Sequence, residues 1–368
     1  MSLVRTTVCL LVVLLLVSGA LAESSVEVRN GTMLTFWGRA IFNTHYDTAI
    51  QKYDFSSYLT DDTTEEFNFN PRDTRLGFEA RNDHEAWVYR AVFEIDFYGD
   101  NAGNSLLPRL RLGYAEAVCE SGLSLRGGQD WIPIAQQLPG CLDFGVMSWG
   151  GNLWSRVPQM TARYKVGNVE YLASAMKNRI SNDQEMQEIM PWLMGRLAVS
   201  DIIGEKSLIA FGVGARTVDV DANAYSPYLA ALEFRLPLAD SRVVVNGEAY
   251  LAKGVGREFV HYGFDYNPTH PDGARAIESK GGFVNAAANV SDRVQLNLGY
   301  GFDDPLDADL DAAAEVPYLK NTVLYGNMKY NVTKQFGWGL EVLSYATDVG
   351  AADDLMGLRM TGSWWYVF

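Results

Sequence analysis

Apolar and polar side chains alternate along most of the chain. Within residues 90–98, Phe93 and Ile95 fall on one face, whereas Glu94 and Asp96 fall on the other. A period of two that persists over several residues indicates a β-strand with two unlike faces. The pattern predicts sixteen strands, at residues 33–43, 73–81, 86–98, 108–118, 122–130, 158–166, 169–178, 190–200, 206–218, 226–238, 241–253, 277–289, 292–302, 319–331, 335–346 and 355–368.

The connections between the predicted strands alternate in length. An up-and-down transmembrane barrel has short periplasmic turns and longer outer loops, and an even number of strands places both chain ends on the periplasmic side. A soluble β-sandwich or propeller would bury its apolar face in a core and would rarely place so many charges on the other face. We therefore predict an all-β fold, a 16-stranded antiparallel transmembrane β-barrel. Its long connections are predicted at residues 44–72, 99–107, 131–157, 179–189, 219–225, 254–276, 303–318 and 347–354.

The charged face of each strand is predicted to line the lumen. An Arg or Lys that faces lipid near the bilayer midplane costs about 2–4 kcal/mol. Basic side chains outnumber acidic ones on the inward faces, and neighbouring strands lie about 4.8 Å apart, so the arginines would form a cationic ladder on one wall. An open alternative is that they only neutralise the inward acids. The predicted pore-lining and solute-binding residues are Arg75, Arg81, Arg90, Arg109, Arg111, Arg126, Arg163, Arg235, Glu94, Asp96 and Asp130.

Composition excludes several other classes of protein. The chain has 45 Asp+Glu against 30 Lys+Arg, a net charge of −15, which argues against a nucleic-acid partner. Only 4 His and 3 Cys are present, so neither a metal site nor a disulfide scaffold is predicted. No G-x-S-x-G or H-E-x-x-H motif occurs, and we predict no enzyme and no cofactor.

The N-terminus has the features of a secretory signal peptide. Arg5 precedes the apolar run VCLLVVLLLV at residues 8–17, and Ala20-Leu21-Ala22 matches the small-x-small pattern of a cleavage site. The run is too short to span a membrane, which takes about 20 apolar residues. We predict a signal peptide at residues 1–22 and a barrel at residues 23–368.

Residues 131–157 stand apart from the other long connections. They contain three Trp and several Gly and Pro, with only Asp143 and Arg156 as charges. Low charge beside acidic neighbours argues against exposure, so we predict a constriction loop that folds inward. Cys141 in this loop and Cys119 near a short turn are the cysteines left after cleavage; export permits a disulfide between them, although the span is expected to be long.

The net negative charge is concentrated in other long connections. Residues 44–72, 303–318 and 347–354 are rich in Asp and Glu. A solvated surface explains most of this charge. A sharper interpretation is that divalent cations bridge these carboxylates to anionic outer-membrane lipid, because carboxylate oxygens suit Ca²⁺ and Mg²⁺.

The last strand carries the most specific local signal. It ends in Phe368, with Tyr366 and Trp364 on the same outward face. This arrangement resembles the recognition signal of bacterial outer-membrane proteins. A strand of this kind can add to an exposed sheet edge of the barrel assembly machinery by β-augmentation.

Five segments carry a family resemblance. They read NPRDTRLGFEA at 70–80, FEIDFYG at 93–99, PRLRLGYA at 108–115, GGQDW at 127–131 and RVPQMTARY at 156–164. In order and spacing they resemble the DcaP-like trimeric outer-membrane porins. The resemblance implies a homotrimeric sixteen-stranded barrel in the bacterial outer membrane that passes small anionic organic solutes, with an inward-folded third loop.

Two functions stay open. The first is a diffusion channel for small hydrophilic solutes, with a preference for carboxylate-bearing anions. The second is a structural or adhesive surface barrel in which the acidic loops matter and little is transported.

Overall fold

The computed structural model describes residues 25–49, 55, 57–59, 64–99, 106–177, 186–188, 190–220, 223–256, 258–260, 265–267, 270–310, 318–350 and 354–368. The predicted signal peptide lies outside these residues. The strands are β1 Ser25–Arg29, β2 Thr32–Asp47, β3 Glu66–Asn70, β4 Arg75–His84, β5 Trp87–Asp96, β6 Arg109–Cys119, β7 Leu123–Trp131, β8 Arg156–Val166, β9 Val169–Met176, β10 Met186–Glu188, β11 Trp192–Ser200, β12 Leu208–Ala215, β13 Val218–Val220, β14 Asn223–Tyr225, β15 Tyr228–Leu238, β16 Val243–Lys253, β17 Tyr266–Asn267, β18 Arg275–Ala276, β19 Glu278–Asn289, β20 Val294–Pro305, β21 Lys320–Asn331, β22 Phe336–Asp348 and β23 Leu355–Val367. A 3₁₀ turn covers Asp307–Asp309.

Sixteen long strands form a closed antiparallel barrel. Each pairs with the next along the chain, and β23 returns to pair with β2 from Arg39↔Val367 to Asp47↔Arg359. Closure leaves no open edge in the spanning region, which a barrel in lipid requires. The predicted fold class is therefore confirmed. The barrel strands are β2, β4 to β9, β11, β12, β15, β16 and β19 to β23.

The connecting segments contain strands that the sequence pattern did not predict. The connection predicted at 44–72 is wrong in part, because β2 continues to Asp47 and β3 pairs with it at Glu66–Asn70. Short strands in three other long connections, β10, β13 and β14 in one sheet and β17 and β18 in another, are too brief to show a period of two. Before the barrel, β1 pairs with the first residues of β2.

The two faces of the barrel wall differ as alternation requires. Outward side chains are large, apolar and exposed, with Met160 at 75% and Leu251 at 62% of full exposure, whereas the inward neighbours of these residues are mostly buried. An exposed apolar surface of this extent marks a lipid or protein contact. Within the described part of the chain, no helix is long and apolar enough to cross a membrane.

The barrel closes at a seam between β2 and β23. The backbone N–H of Phe368 donates to the carbonyl of Gly38 at 3.0 Å, and the N–H of Gly38 donates back to Phe368 at 2.9 Å. The Phe368 ring lies where a side chain on Gly38 would stand. Beyond this point β1 covers the remaining edge of β2, through pairs such as Val26↔Leu34.

Candidate functional site

A β-bulge in β6 decides which residues face the lumen. The register of β6 against β5 shifts by one residue at Arg111. Before the shift Arg109 lies opposite Asp96, and after it Glu116 lies opposite Arg90. Strict alternation from Arg109 leaves Glu116 out of the lumen. That assignment is wrong, because the extra residue returns Glu116 to the inner face, where it is buried.

Asp96 holds two of the predicted pore-lining arginines. Arg109 donates to Asp96 at 2.8 Å, and Arg111 donates to it at 2.9 Å. Arg111 also donates to Glu94 at 2.6 Å. The Arg109 side chain keeps 35% exposure, whereas Arg111 keeps 2%. Asp96 and Glu94 therefore fix both guanidinium groups in place, and Arg109 still faces open space.

A second shared carboxylate, Glu116, joins β5 to β7. Arg90 and Arg126 both donate to it, Arg126 at 2.9 Å. Arg126 also pairs with Asp130 on its own strand, and Arg90 lies 3.6 Å from Glu79. These contacts link inward charges across neighbouring strands, in the direction in which the ladder was predicted to run.

The third shared carboxylate is Asp73, in the break between β3 and β4. Arg39 donates to it at 3.0 Å and Arg75 at 2.7 Å. We call the inward side of β2 and β4 to β7, with Asp73, the arginine wall. Each of its three shared carboxylates binds two arginines. Glu79, Glu94 and Asp130 also pair with the wall, so the six arginines in these contacts are matched by six carboxylates.

The other predicted pore-lining arginines lie elsewhere. Arg81 is on the inner face of β4 near a short turn, where it pairs with the exposed Asp83 at 2.9 Å. Arg163 on β8 and Arg235 on β15 have no ion pair within the described residues, and the buried Nε of Arg163 has no hydrogen-bond partner there. The structure therefore brings most of the predicted set together on one wall, with Arg81 at the turn end of that wall, and leaves Arg163 and Arg235 outside it.

The loop between β7 and β8, residues 132–155, packs against the opposite side of the barrel interior. Ile132, Ile134 and Leu153 are each at most 1% exposed and belong to the largest buried apolar cluster. The cluster also includes the inward Leu229 of β15 and Tyr250 of β16. Apolar packing therefore holds the two ends of the loop against these strands.

Wall carboxylates bind the backbone of this loop. Glu341 on β22 accepts from the N–H groups of Leu142 at 2.7 Å and Asp143 at 2.9 Å. Glu233 on β15 accepts from the N–H of Ala135 at 2.8 Å. Backbone N–H groups need partners when buried, and a carboxylate is a strong acceptor.

Glu248 on β16 completes this set, because it accepts from the N–H of Leu153. The neighbouring Asp303 on β20 instead accepts from the hydroxyl of Tyr250 at 2.6 Å. We call the inward side of β15, β16 and β20 to β23 the anchoring wall. On it the loop-binding carboxylates are all at most 2% exposed.

Glycines let the loop backbone approach the wall closely. Gly151 has φ +92°, and a Cβ there would overlap the carbonyl oxygen of Gly282 on β19. A side chain on Gly301 of β20 would likewise overlap the carbonyl oxygen of Gly150. Only glycine combines that φ with this contact, so the loop lies in a shallow track without side chains.

An ion-pair network ties the loop to the seam strands. Arg359 on β23 donates to Asp143 of the loop at 3.1 Å and to Asp47 of β2 at 2.7 Å. All three side chains are at most 3% exposed. Alternation along the last strand places Arg359 on the inward face, but the sequence does not indicate its partners, because Asp47 and Asp143 fall in predicted connections.

Between the loop and the arginine wall lies a cavity of about 360 Å³. Five cationic side chains line it against two carboxylates, together with Trp131, Phe144 and Trp154 from the loop side and Trp365 from β23. The cations are Arg39, Arg75, Arg111, Arg156 and Lys329, and the carboxylates are Asp73 and Asp143. The cavity therefore has a mostly apolar lining, a net positive set of charged side chains, and a size that admits a small organic anion.

Aromatic rings lie beside the cationic groups. The Arg109 guanidinium lies 5.5 Å from the ring centre of Tyr98 and 5.7 Å from that of Phe144. Tyr98 and Phe144 stack at 3.9 Å. Cation–π contacts of this kind hold arginine planes in fixed orientations.

The cysteines are not joined. Cys119 and Cys141 are both free. Burial and the nearby Glu341 and Asp143 raise the pKa of the Cys141 thiol well above its usual range, so it stays protonated at neutral pH. Among the described residues, no group of three His, Cys, Asp or Glu is placed to hold a metal ion.

The terminal aromatic residues lie on the outside of the barrel. Trp364, Tyr366 and Phe368 are 44%, 50% and 47% exposed. The Trp364 ring lies 6.1 Å from that of Phe42 across the seam.

Solved porin structures share this fold. The DcaP channel of Acinetobacter baumannii matches with a TM-score of 0.83 at 17% identity, over 93% of this chain and 99% of that one. The anion-selective porin of Comamonas acidovorans matches with a TM-score of 0.67 at 13% identity, over 92% and 100%. Salmonella typhi OmpF, in complex with daunomycin, matches with a TM-score of 0.65 at 11% identity, over 93% and 100%.

At the level of sequence, no family model and no curated protein matches the chain. At these identities the structural matches show the fold, and the fold is that of the outer-membrane porins.

Proposed function

We propose that this protein is a diffusion channel in the bacterial outer membrane for small hydrophilic anions that carry carboxylates. The observation that carries the proposal is the cavity beside the arginine wall, where five cationic side chains face two carboxylates. Arg presents a planar fork that matches a carboxylate and stays charged at physiological pH. The barrel's outward apolar surface supports the membrane location.

The β7–β8 loop acts as the constriction in this proposal. It takes up the half of the lumen next to the anchoring wall, so the route for solute runs along the arginine wall. The three shared carboxylates temper the positive charge. A channel needs sites that attract an ion and also release it.

One observation favours the alternative of a structural or adhesive barrel. The loop buries a large apolar cluster inside the barrel, and such packing could close the lumen. The acidic loops would then be the working surface, with divalent cations bridging them to lipid. Asp304, one of their described carboxylates, instead lies near Lys280 at 3.6 Å and Lys320 at 3.9 Å.

Swelling of proteoliposomes separates the two functions. Vesicles that contain the purified barrel are moved into isosmotic sodium malonate, an uncharged sugar of similar size, or a small organic cation as its chloride. A channel with anion preference gives the fastest swelling in malonate and the slowest in the organic cation. Swelling no faster than in protein-free vesicles for every solute would support the structural barrel.

A homotrimer is the proposed assembly, and the outer face of β4 to β7 supports it. Ala80, Ala91, Ala115 and Gly127 pair in one row across these four strands. The row of small residues leaves a depression of about 480 Å³ on the outer face. Protein side chains from a second copy can fill such a depression more completely than mobile lipid tails.

Aromatic rings border this face. Phe36 lies 6.1 Å from Phe78, which stacks on Phe93 at 5.4 Å.

Replacing Ala91 by Trp would fill the depression and is expected to shift the barrel from trimer to monomer on mild detergent electrophoresis. Ala249→Gly, away from this face, is the matched control. A variant that stays trimeric would place the contact elsewhere.

A further inference from the structure

Arg156 stands at the point where the β7–β8 loop becomes strand β8. Its guanidinium carbon lies 4.7 Å from the ring centre of Trp131 and 5.1 Å from that of Trp154. Trp131 is the last residue of β7 and Trp154 is near the end of the loop. The two rings therefore hold the side chain in place from both ends of the loop.

Arg156 differs from the arginines of the wall in having no carboxylate partner. Within the described ranges no ion pair and no hydrogen bond involves its guanidinium, whereas Arg109 and Arg111 each contact Asp96. Arg109 and Arg111 repel the Arg156 guanidinium, and Asp96 is the main negative charge that attracts it. Asp96 is already shared by the other two arginines.

A cation that lies among other cations is electrostatically unfavourable unless an anion binds to it. Two indole rings offset part of the cost of taking Arg156 out of water, but they supply no acceptor for its N–H groups. Arg156 lines the 360 Å³ cavity, so an anion in the cavity can reach it. A carboxylate would supply both the opposing charge and two acceptors for the guanidinium fork.

We propose that Arg156, held between Trp131 and Trp154, is the residue on which a carboxylate docks during passage. The ion-paired arginines of the wall set the field around it. This inference rests on the proposed channel function and adds the residue that determines solute affinity. It separates docking from steering: the cationic lining of the cavity draws anions in, and Arg156 binds them briefly.

The experiment measures the concentration of malonate that blocks half of the chloride current. Single barrels in a planar bilayer carry current in KCl, and malonate is titrated until the current falls by half. Replacing Arg156 by Gln is expected to raise the half-blocking concentration about tenfold, equivalent to about 1.4 kcal/mol. Arg156→Lys keeps the charge without the fork, so its value should lie between those of the wild type and R156Q.

Lys165→Gln is the matched control. Lys165 is on the same strand, and its removal changes the net charge equally, but it is exposed near a short turn, away from the cavity. Its half-blocking concentration should stay within about twofold of wild type, because exposed charges are largely screened at distances beyond about 10 Å in 0.1 M salt. Equal values for wild type and R156Q, or equal shifts in R156Q and K165Q, would overturn the docking role.

The two proposals fail in different ways. A wild-type barrel that carries no current, or is not blocked by malonate, would contradict the channel proposal itself. A wild-type barrel that is blocked, with Arg156→Gln blocked equally well, would contradict only the role of Arg156. If R156Q does not refold to the heat-modifiable form, R156K carries the same test, and wild-type affinity in R156K would rule out the fork.

Discussion

The two walls of the lumen use the same residue types in opposite ways. On the arginine wall, Asp96 and Glu116 each bind two arginines, of which Arg90 and Arg109 stay about one-third exposed. On the anchoring wall, Glu248 and Glu341 are buried and accept from loop backbone N–H groups. The difference follows from which side the loop covers. These carboxylates of both walls are buried, and what differs is the donor: arginine side chains on one wall and loop backbone N–H groups on the other.

The largest effect is expected at the seam, where the two walls join. Phe368→Asp places a charge on the outward face of β23, which is the proposed recognition surface for the assembly machinery. We expect the amount of assembled barrel in the outer membrane to fall by about an order of magnitude. Membrane fractionation with heat-modifiability on gels measures it, and Phe368→Leu is the control. Normal assembly of F368D would show that Phe368 is not part of the recognition signal.

The next largest effect concerns the network that links the loop to the seam. Arg359→Leu leaves Asp47 and Asp143 buried without their cation, which costs about 3–5 kcal/mol. Urea unfolding of the refolded barrel in lipid measures the change in free energy. Arg81→Leu breaks an exposed pair with Asp83 and should cost at most about 1 kcal/mol. Similar losses for both variants would contradict the difference between buried and exposed pairs.

A smaller effect is expected from loosening the loop alone. Glu341→Leu removes the acceptor for two loop N–H groups, and each unpaired buried donor costs about 1–3 kcal/mol. The loop should then leave the anchoring wall for part of the time, so single-channel current in KCl should rise and fluctuate more. Glu341→Gln keeps one acceptor and should lie between wild type and E341L. A steady current of wild-type size in E341L would show that the glycine track and the apolar cluster are sufficient to hold the loop against the anchoring wall.

Sequence reasoning recovered the barrel because alternation is a property of each strand by itself. All sixteen barrel strands occur where the period of two predicted them. It recovered most of the arginine wall for the same reason. It missed Glu116, since the bulge at Arg111 is a relation between two strands that neither strand shows alone.

The cavity depends on the loop, which has no period to follow. Asp143 and Arg156 were noted only as the charges of a low-charge loop. Asp143 pairs with Arg359, which is distant in the chain. Arg156 packs between two Trp rings that only the path of the loop brings together. Trp154, two residues before Arg156, was the one visible signal, because a tryptophan so close to an arginine in a segment of low charge favours a stacked cation.

The reversal potential across a KCl gradient tests the central claim, that the arginine wall makes the lumen prefer anions. The wild-type barrel should give a potential of the sign set by chloride permeation. Replacing Arg109 and Arg111 by Ser leaves Asp96 and Glu94 without their cations, so the potential should shift toward that of cation permeation. A wild-type barrel that prefers potassium, or a double variant with an unchanged potential, would contradict the account.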